Sequence, residues 1–463
     1  MNEIEKEFAG RVDGRIHLPE TDGYDRERSG FQLLDQHRPG VVVAATGERD
    51  IRAAVEVAAE RGLPLAVQAT GHGLAAPTDG VLISTRDMSG VRVDPRARTA
   101  WVQAGATWQH VIDAAAPHGL APLSGSFPGV GAISYTLGGG VGLLARRYGF
   151  AADHVRRIDL VTLDGRSHHV TAESDPDLFW ALRGGGGNFG VVTGMEIDLL
   201  PVAEIYGGSL YFDLTQVTDL PAAWHRWTAG VPEEMTSAVT MMSFPDLPML
   251  PEPLRGRHVA QVQVSYLGSP RDGAAVVDPL RSAGPILLDT LRERPFTESG
   301  AIFDEPDQPH AYRSRNVLVS ELDGNDLAGL ATASGPEAPI MVVAGLRHLG
   351  GALARPPRIP NAVGHREAAY SVSVLSPVDD GERELVRSTH RAALKPFSRN
   401  AIGTSLNFTF GPVGEEEIRS AFAPGDFERL AAIASRCDPH GLLRANHPVR
   451  PTASPAMTEV VTG

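Results

Sequence analysis

Three glycine clusters crowd the first half of the chain: Thr70-Gly71-His72-Gly73, Gly138-Gly139-Gly140-Val141-Gly142 and Gly184-Gly185-Gly186-Gly187-Asn188-Phe189-Gly190. Without a Cβ, glycine reaches positive φ at low cost and lets backbone N–H groups close on an anion such as a pyrophosphate. Each cluster borders a strand-like segment, so the three read as parts of one nucleotide site. The third contains the spacing G-x-G-x-x-G in Gly185, Gly187 and Gly190. That spacing binds a dinucleotide when it follows a strand and opens a helix. Here a helical segment, DPDLFWALR, precedes it and an apolar strand, VVTGMEIDLL, follows. The first cluster does follow a strand, but it runs into Pro77 and Thr78-Asp79-Gly80, which is a turn. The Rossmann context is absent from both, and another kind of nucleotide cradle is expected.

Other chemistries find little support. Among 16 histidines the pair His168-His169 stands out, but it follows a turn and there is no H-E-x-x-H, so no metal site is expected. Neither a G-x-S-x-G elbow nor a G-x-x-x-x-G-K-[ST] loop occurs. The single cysteine, Cys437, allows no disulfide and no cysteine-based zinc site within one chain. Lys+Arg is 42 against Asp+Glu 56, a net charge of −14, which argues against nucleic acid or an anionic membrane as partner. No run of about 18 apolar residues is present, so no membrane span is expected. The opening MNEIEKEFAG has no apolar stretch of a secretory leader. A cytoplasmic location is the expectation.

A chain of 463 residues suggests two or three domains. Val41–Ala45, the helical spacing of Ile51, Ala54, Val55 and Ala58, and Pro64–Val67 form a β-α-β start. Strands are expected at 80–84, 91–93 and 99–103, a helix at 107–118, and a hairpin over 155–170 turning at Asp164-Gly165. A helix at 177–183 and a strand at 191–199 end before Pro201. Beyond it, strands (259–266, 340–344, 370–375) alternate with helices (272–283, 382–393), which reads as antiparallel sheet backed by helices. A last helix spans 427–436.

The stretch from about Arg38 to Pro201 resembles the FAD-binding domain of the vanillyl-alcohol-oxidase and p-cresol-methylhydroxylase superfamily. The nearest branch is that of berberine-bridge-enzyme-like oxidoreductases. The motifs that carry the resemblance are PLAVQATGHG, VQAGATW, GVGAISYTLGGGVGLLARRYGFAADHV, VTLDG and DPDLFWALRGGGGNFGVVT, with RCDPHGLLRANHP near the C-terminus. It implies an α+β fold: a two-subdomain, non-Rossmann FAD-binding domain at 1–205 (core about 35–205), a substrate domain at 206–410, and a return to the first domain at 411–463. It also implies FAD as cofactor, cradled by Thr70, Gly71, His72, Gly73 and Leu74 and by Gly129, Val130, Gly131, Ser134, Gly138, Gly139, Gly140, Val191, Val192 and Asn446. His72 sits where the family attaches the flavin 8α-methyl to histidine. The second tether, a cysteine in C-P-x-V-G, is replaced by Phe127 in Phe127-Pro128-Gly129-Val130-Gly131, so a bond through His72 only is implied.

A flavin oxidises by taking hydride at N5 while a base removes a proton from the substrate. The family's Y-x-N segment reads Ser405-Leu406-Asn407 here, so its tyrosine base is missing, and Val141 replaces the tyrosine of GGGYG. Tyr370 is the first choice for base or for orienting substrate, with His365, Arg366 and Glu367 as alternatives and Asn407 beside them; otherwise Tyr370 packs in the core with its hydroxyl tied up. The implied function is an FAD-dependent oxidoreductase, an oxidase using O₂ on a medium-to-large organic substrate such as a secondary metabolite or saccharide. A flavin-dependent oxygenase or dehydrogenase, or a drug-binding resistance flavoprotein, are the alternatives.

Overall fold

The protein is described here by a computed structural model covering residues 3–379 and 381–450; residues 451–463 of the expected C-terminal return lie outside the described residues. Val41–Ala44 is a wholly buried strand, and the helix Glu48–Arg61 turns Ile51, Ala54, Val55 and Ala58 inward before Gly62 ends it at φ 62°. The strands Val41–Ala44 and Leu65–Gln68 do not pair directly. Val81–Ser84 lies between them, parallel to both. Arg15–His17, in a stretch with no strand signal, adds an antiparallel edge.

A second sheet holds five antiparallel strands in the order Val91–Asp94, Thr99–Gln103, Val191–Asp198, Val155–Val161, Ser167–Val170. The glycine-rich stretch 124–149 is not all loop: it contains the short helices Ala132–Leu137 and Ala145–Tyr148. The order helix, glycine cluster, strand around residue 187 is as the sequence implied, with the helix at Pro176–Leu182 and the strand at Val191–Asp198.

The third sheet has nine antiparallel strands drawn from residues 204–403. The strand expected at 340–344 is displaced to Val343–His348, because Gly345 lies mid-strand rather than ending it. Register fixes which residues share a face. One row across the sheet runs Leu210, Val262, Val239, Leu346, Val372. It is apolar and packs under helices that supply Leu220, Trp224, Val277, Leu280, Leu327 and Leu330. The adjoining row runs Ser209, Gln263, Ala238, Arg347, Ser371, Leu318. That polar face turns towards the first half of the chain.

Two features join the halves. Arg183 is buried and donates to three main-chain carbonyls, Phe179 at 3.0 Å, Ile359 at 3.3 Å and Pro360 at 2.6 Å. After the helix Asp426–Cys437 the chain returns to the first sheet, where Leu65 N–H donates to Leu442 O (2.8 Å) and Arg444 N–H to Leu65 O (2.7 Å).

Several histidines are buried without a carboxylate. Burial, followed by nearby arginines, lowers His37, His390 and His447 to about 4 and His348 to about 3. Each is neutral in the fold and titrates near 6.5 once unfolded, so its contribution is complete above that value and is lost as pH falls towards 4. The loss approaches about 1.4 kcal/mol per group per pH unit at the acid end. Urea midpoints should therefore drop markedly between pH 7 and pH 5; a flat profile over that range would contradict the buried neutral state.

Candidate functional site

The first glycine cluster leaves the end of the strand Leu65–Gln68. Gly71 takes φ +70°, and a Cβ there would lie 2.5 Å from Gly30 Cα and 2.7 Å from Gln68 Oε1. Residues 30–32 clamp the loop: Phe31 N–H donates to Thr70 O at 2.8 Å and Gln32 N–H to Gly71 O at 3.1 Å. The His72 ring stacks on Phe31, with centroids 3.9 Å apart and planes at 20°, and stands edge-on to Phe127 at 5.4 Å. Tyr312 Oη donates to the His72 carbonyl at 2.7 Å. Burial pushes the imidazole down to about 4, against an opposing pull from the Gly129 backbone. His72 is thus neutral at pH 7 and keeps a ring lone pair.

The other clusters gather around this loop. A Cβ on Gly131 would lie 3.6 Å from Thr70 Oγ1 and 3.2 Å from Ser134 Oγ. Leu137 O accepts from both Gly184 N–H (2.8 Å) and Gly186 N–H (3.0 Å), which locks the second cluster to the third. Asn188 then ties the third to the C-terminal segment, donating to His447 O at 3.1 Å and accepting from Val449 N–H at 3.1 Å. Asn446 Oδ1 accepts from Ala75 N–H (2.9 Å) and Ala76 N–H (3.2 Å), which closes the ring back to the first loop. The side chains of Val191 and Val192 are buried in two separate cores, leaving only their main chain for a ligand.

This arrangement fits FAD. A Cβ on Gly73 or Gly187 would meet nothing within 4 Å, so there is room beside the amides. His447 Nε2, Tyr135 Oη and Ser124 Oγ are buried without a hydrogen-bond partner. Buried polar atoms ordinarily have one.

Between the cradle and the polar sheet face lies a cavity of about 690 Å³, bordered by Gly138, Val141, His365, Ser371 and Asn407. A smaller lobe of about 370 Å³ reaches Gln263, Ser265 and Phe303. Val141 and Arg347 line both. Asn407 Nδ2 donates to Tyr135 O at 2.9 Å and lies so close to Gly138 that a Cβ there would overlap it.

Residues 39–171 match the family model described as an FAD binding domain. The chain is 25% identical over 466 residues to (R)-6-hydroxynicotine oxidase of Paenarthrobacter nicotinovorans, covering 96% of this chain and 98% of that one. This chain carries an FAD-binding domain and is an FAD-dependent oxidoreductase. Its fold is shared with xylooligosaccharide oxidase of Myceliophthora thermophila (TM-score 0.84, 21% identity, 98% and 100% of the two chains) and with berberine bridge enzyme (TM-score 0.82, 20% identity, 97% and 100%). No helix among the described residues is long and apolar enough to cross a membrane.

The catalytic candidates of this flavoprotein separate in space. Tyr370 is not at the cavity: it pairs with His348 on the helix-backed face, is buried, and its hydroxyl is 2.7 Å from Thr228 Oγ1. Alternation along the strand sends its neighbour Ser371 to the cavity instead. Arg366 is committed to Asp153, at 2.6 Å and 3.1 Å. Glu367 is exposed, 3.8 Å from His365 Nδ1. His365 and Asn407 do border the cavity; His365 Nε2 is 2.9 Å from Ser420 O, to which it donates. Phe31, Tyr312 and Arg347 were not foreseen. Arg347 carried a signal, a charge at an inward position of an apolar alternation, but the strand expected at 340–344 stopped short of it.

Proposed function

We propose that this flavoprotein is an oxidase with FAD tethered through His72 alone, removing hydride from a medium-to-large organic molecule, a secondary metabolite or saccharide, and returning the electrons to O₂ in the cytoplasm. The observation that carries the reading is the neutral, stacked imidazole of His72 beside Phe127, where a second tether would need a thiol. In this reading residues 1–205 hold the cofactor, 206–410 the substrate, and 411–463 complete the first domain.

When bound, FAD supplies the hydride acceptor. The backbone of Thr70–Leu74 and Gly129–Ser134 with the Thr70 and Ser134 hydroxyls would hold its pyrophosphate and ribityl chain, Gly138–Gly140 its ring edge, and Asn446 would fix the loop that carries His72. With Tyr370 in the core, His365 is the group at the cavity whose Nδ1 takes the substrate proton. Asn407, fixed to the Tyr135 carbonyl, orients the reacting group.

The test needs no substrate. Holoenzyme whose flavin has been photoreduced under argon is mixed with air-saturated buffer. One peroxide per flavin, formed within seconds, is expected. Reoxidation over many minutes would assign the electrons to another acceptor and favour the dehydrogenase reading.

A further inference from the structure

We propose that Arg347 recognises an anionic group of the substrate, so that the molecule oxidised is an organic acid: a carboxylate, or a similarly planar anion, on an apolar body. This narrows the oxidase reading and rests on it.

Arg347 is the one charge in the cavity-facing row Ser209, Gln263, Ala238, Arg347, Ser371, Leu318. Its guanidinium lies between two phenyl rings, 4.8 Å from the centroid of Phe303 and 4.8 Å from that of Phe408. Phe408 follows Asn407 in the turn Leu406–Phe408, so the stack is built beside the cradle. The hydrogen bond of this guanidinium is a long one, 3.4 Å to Ser126 Oγ. Other buried arginines are satisfied: Arg313 is 2.5 Å from Asp35 and Arg366 2.6 Å from Asp153, while Arg146 and Arg183 donate to main-chain carbonyls. Arg347 has no such ion pair among the described residues. The carboxylate that acts on it, Glu305, is solvent-exposed.

A half-buried cation without a close counter-ion is costly, which a fold tolerates when something else supplies the charge. The two rings flank the guanidinium carbon by cation–π contact, and among the described residues its N–H donors make only the long bond to Ser126. Those donors match a carboxylate in a two-point contact. Leu318, Leu349, Phe150 and Val363 give the larger cavity an apolar wall beside its polar residues, which suits an aromatic or aliphatic body. In the smaller lobe Ser265 Oγ is buried without a partner and Gln263 lies beside it, donors and acceptors for a hydroxyl.

The experiment titrates benzoate and its neutral isostere benzamide into the holoenzyme, followed by the flavin absorbance change and by calorimetry. Benzoate is expected to bind at least ten-fold more tightly than benzamide. Arg347→Met should remove that preference, and Arg347→Lys, which keeps charge without the fork, should retain part of it. Equal binding of the two probes to wild type would overturn the proposal, whatever the variants do, as would a benzoate preference that survives in Arg347→Met. Peroxide yield from photoreduced wild type, measured on the same preparation, reports the oxidase reading separately: it can fail while benzoate selectivity stands, and the reverse.

Discussion

Gly71→Val should yield folded protein almost devoid of flavin. The position holds φ +70°, and a β-branched residue there costs roughly 1–3 kcal/mol in backbone strain alone. The added Cβ would lie 2.5 Å from Gly30 Cα, a main-chain neighbour that cannot swing aside like a side chain. Relief requires residues 30–32 to part from the loop, which gives up the bonds from Phe31 N–H to Thr70 O and from Gln32 N–H to Gly71 O. Each is worth about 1 kcal/mol. The sum is about 3–5 kcal/mol of local free energy, below the 5–15 kcal/mol that holds a typical domain together. The loop should therefore rearrange while the sheets persist. Flavin absorbance per mole of protein should fall below about a tenth of wild type with an unchanged far-ultraviolet circular dichroism spectrum. Full flavin content in the variant would show that this loop does not cradle the cofactor.

His72→Ala should convert the cofactor from one that acid cannot extract to one that acid extracts completely. The cradle amides, the Asn446 clamp and the Leu137–Gly184 contacts do not involve the imidazole, so FAD should still bind. What the variant would lose is the ring nitrogen that the proposed tether needs. That nitrogen is available because burial keeps the ring unprotonated; a cationic imidazole has no lone pair to give. The stack on Phe31 and the Tyr312 bond to the His72 carbonyl hold the ring in one orientation. Cys437 offers no substitute: it is partly buried, its thiol pushed up to about 11 by burial, at the end of the helix Asp426–Cys437. Flavin in the pellet of acid-precipitated His72→Ala protein would place the bond elsewhere.

The glycine loops and their order along the chain were legible in the sequence because their contacts are made by backbone, and such loops announce themselves through glycine. The order of elements around Gly184–Gly190 was enough to set aside the Rossmann reading, since a phosphate site of that kind needs a helix opening after the glycines. The C-terminal return was readable from RCDPHGLLRANHP, but its anchor, Asp438 accepting from Leu442 and Leu443 N–H at 3.0 Å and 2.8 Å, shows only in space. The substrate side was illegible for a different reason. Its residues are spread over strands from 204 to 403, and what makes Arg347 and Ser371 face one cavity is cross-strand register, which no local pattern encodes. A one-residue shift exchanges the faces. Tyr370 and Ser371 illustrate this: adjacent in sequence, one ends against Thr228 in the core and the other at the cavity. The strand expected at 340–344 stops short of the observed Val343–His348, and that hid Arg347.

The proposed tether is tested most directly by proteolysis of the acid-denatured wild-type holoprotein followed by mass spectrometry. The peptide that contains His72 should carry the added mass of one FAD, fragmentation should place it on the imidazole, and the peptide with Cys437 should be unmodified. An unmodified His72 peptide, with all the yellow colour left in the acid supernatant, would contradict the account.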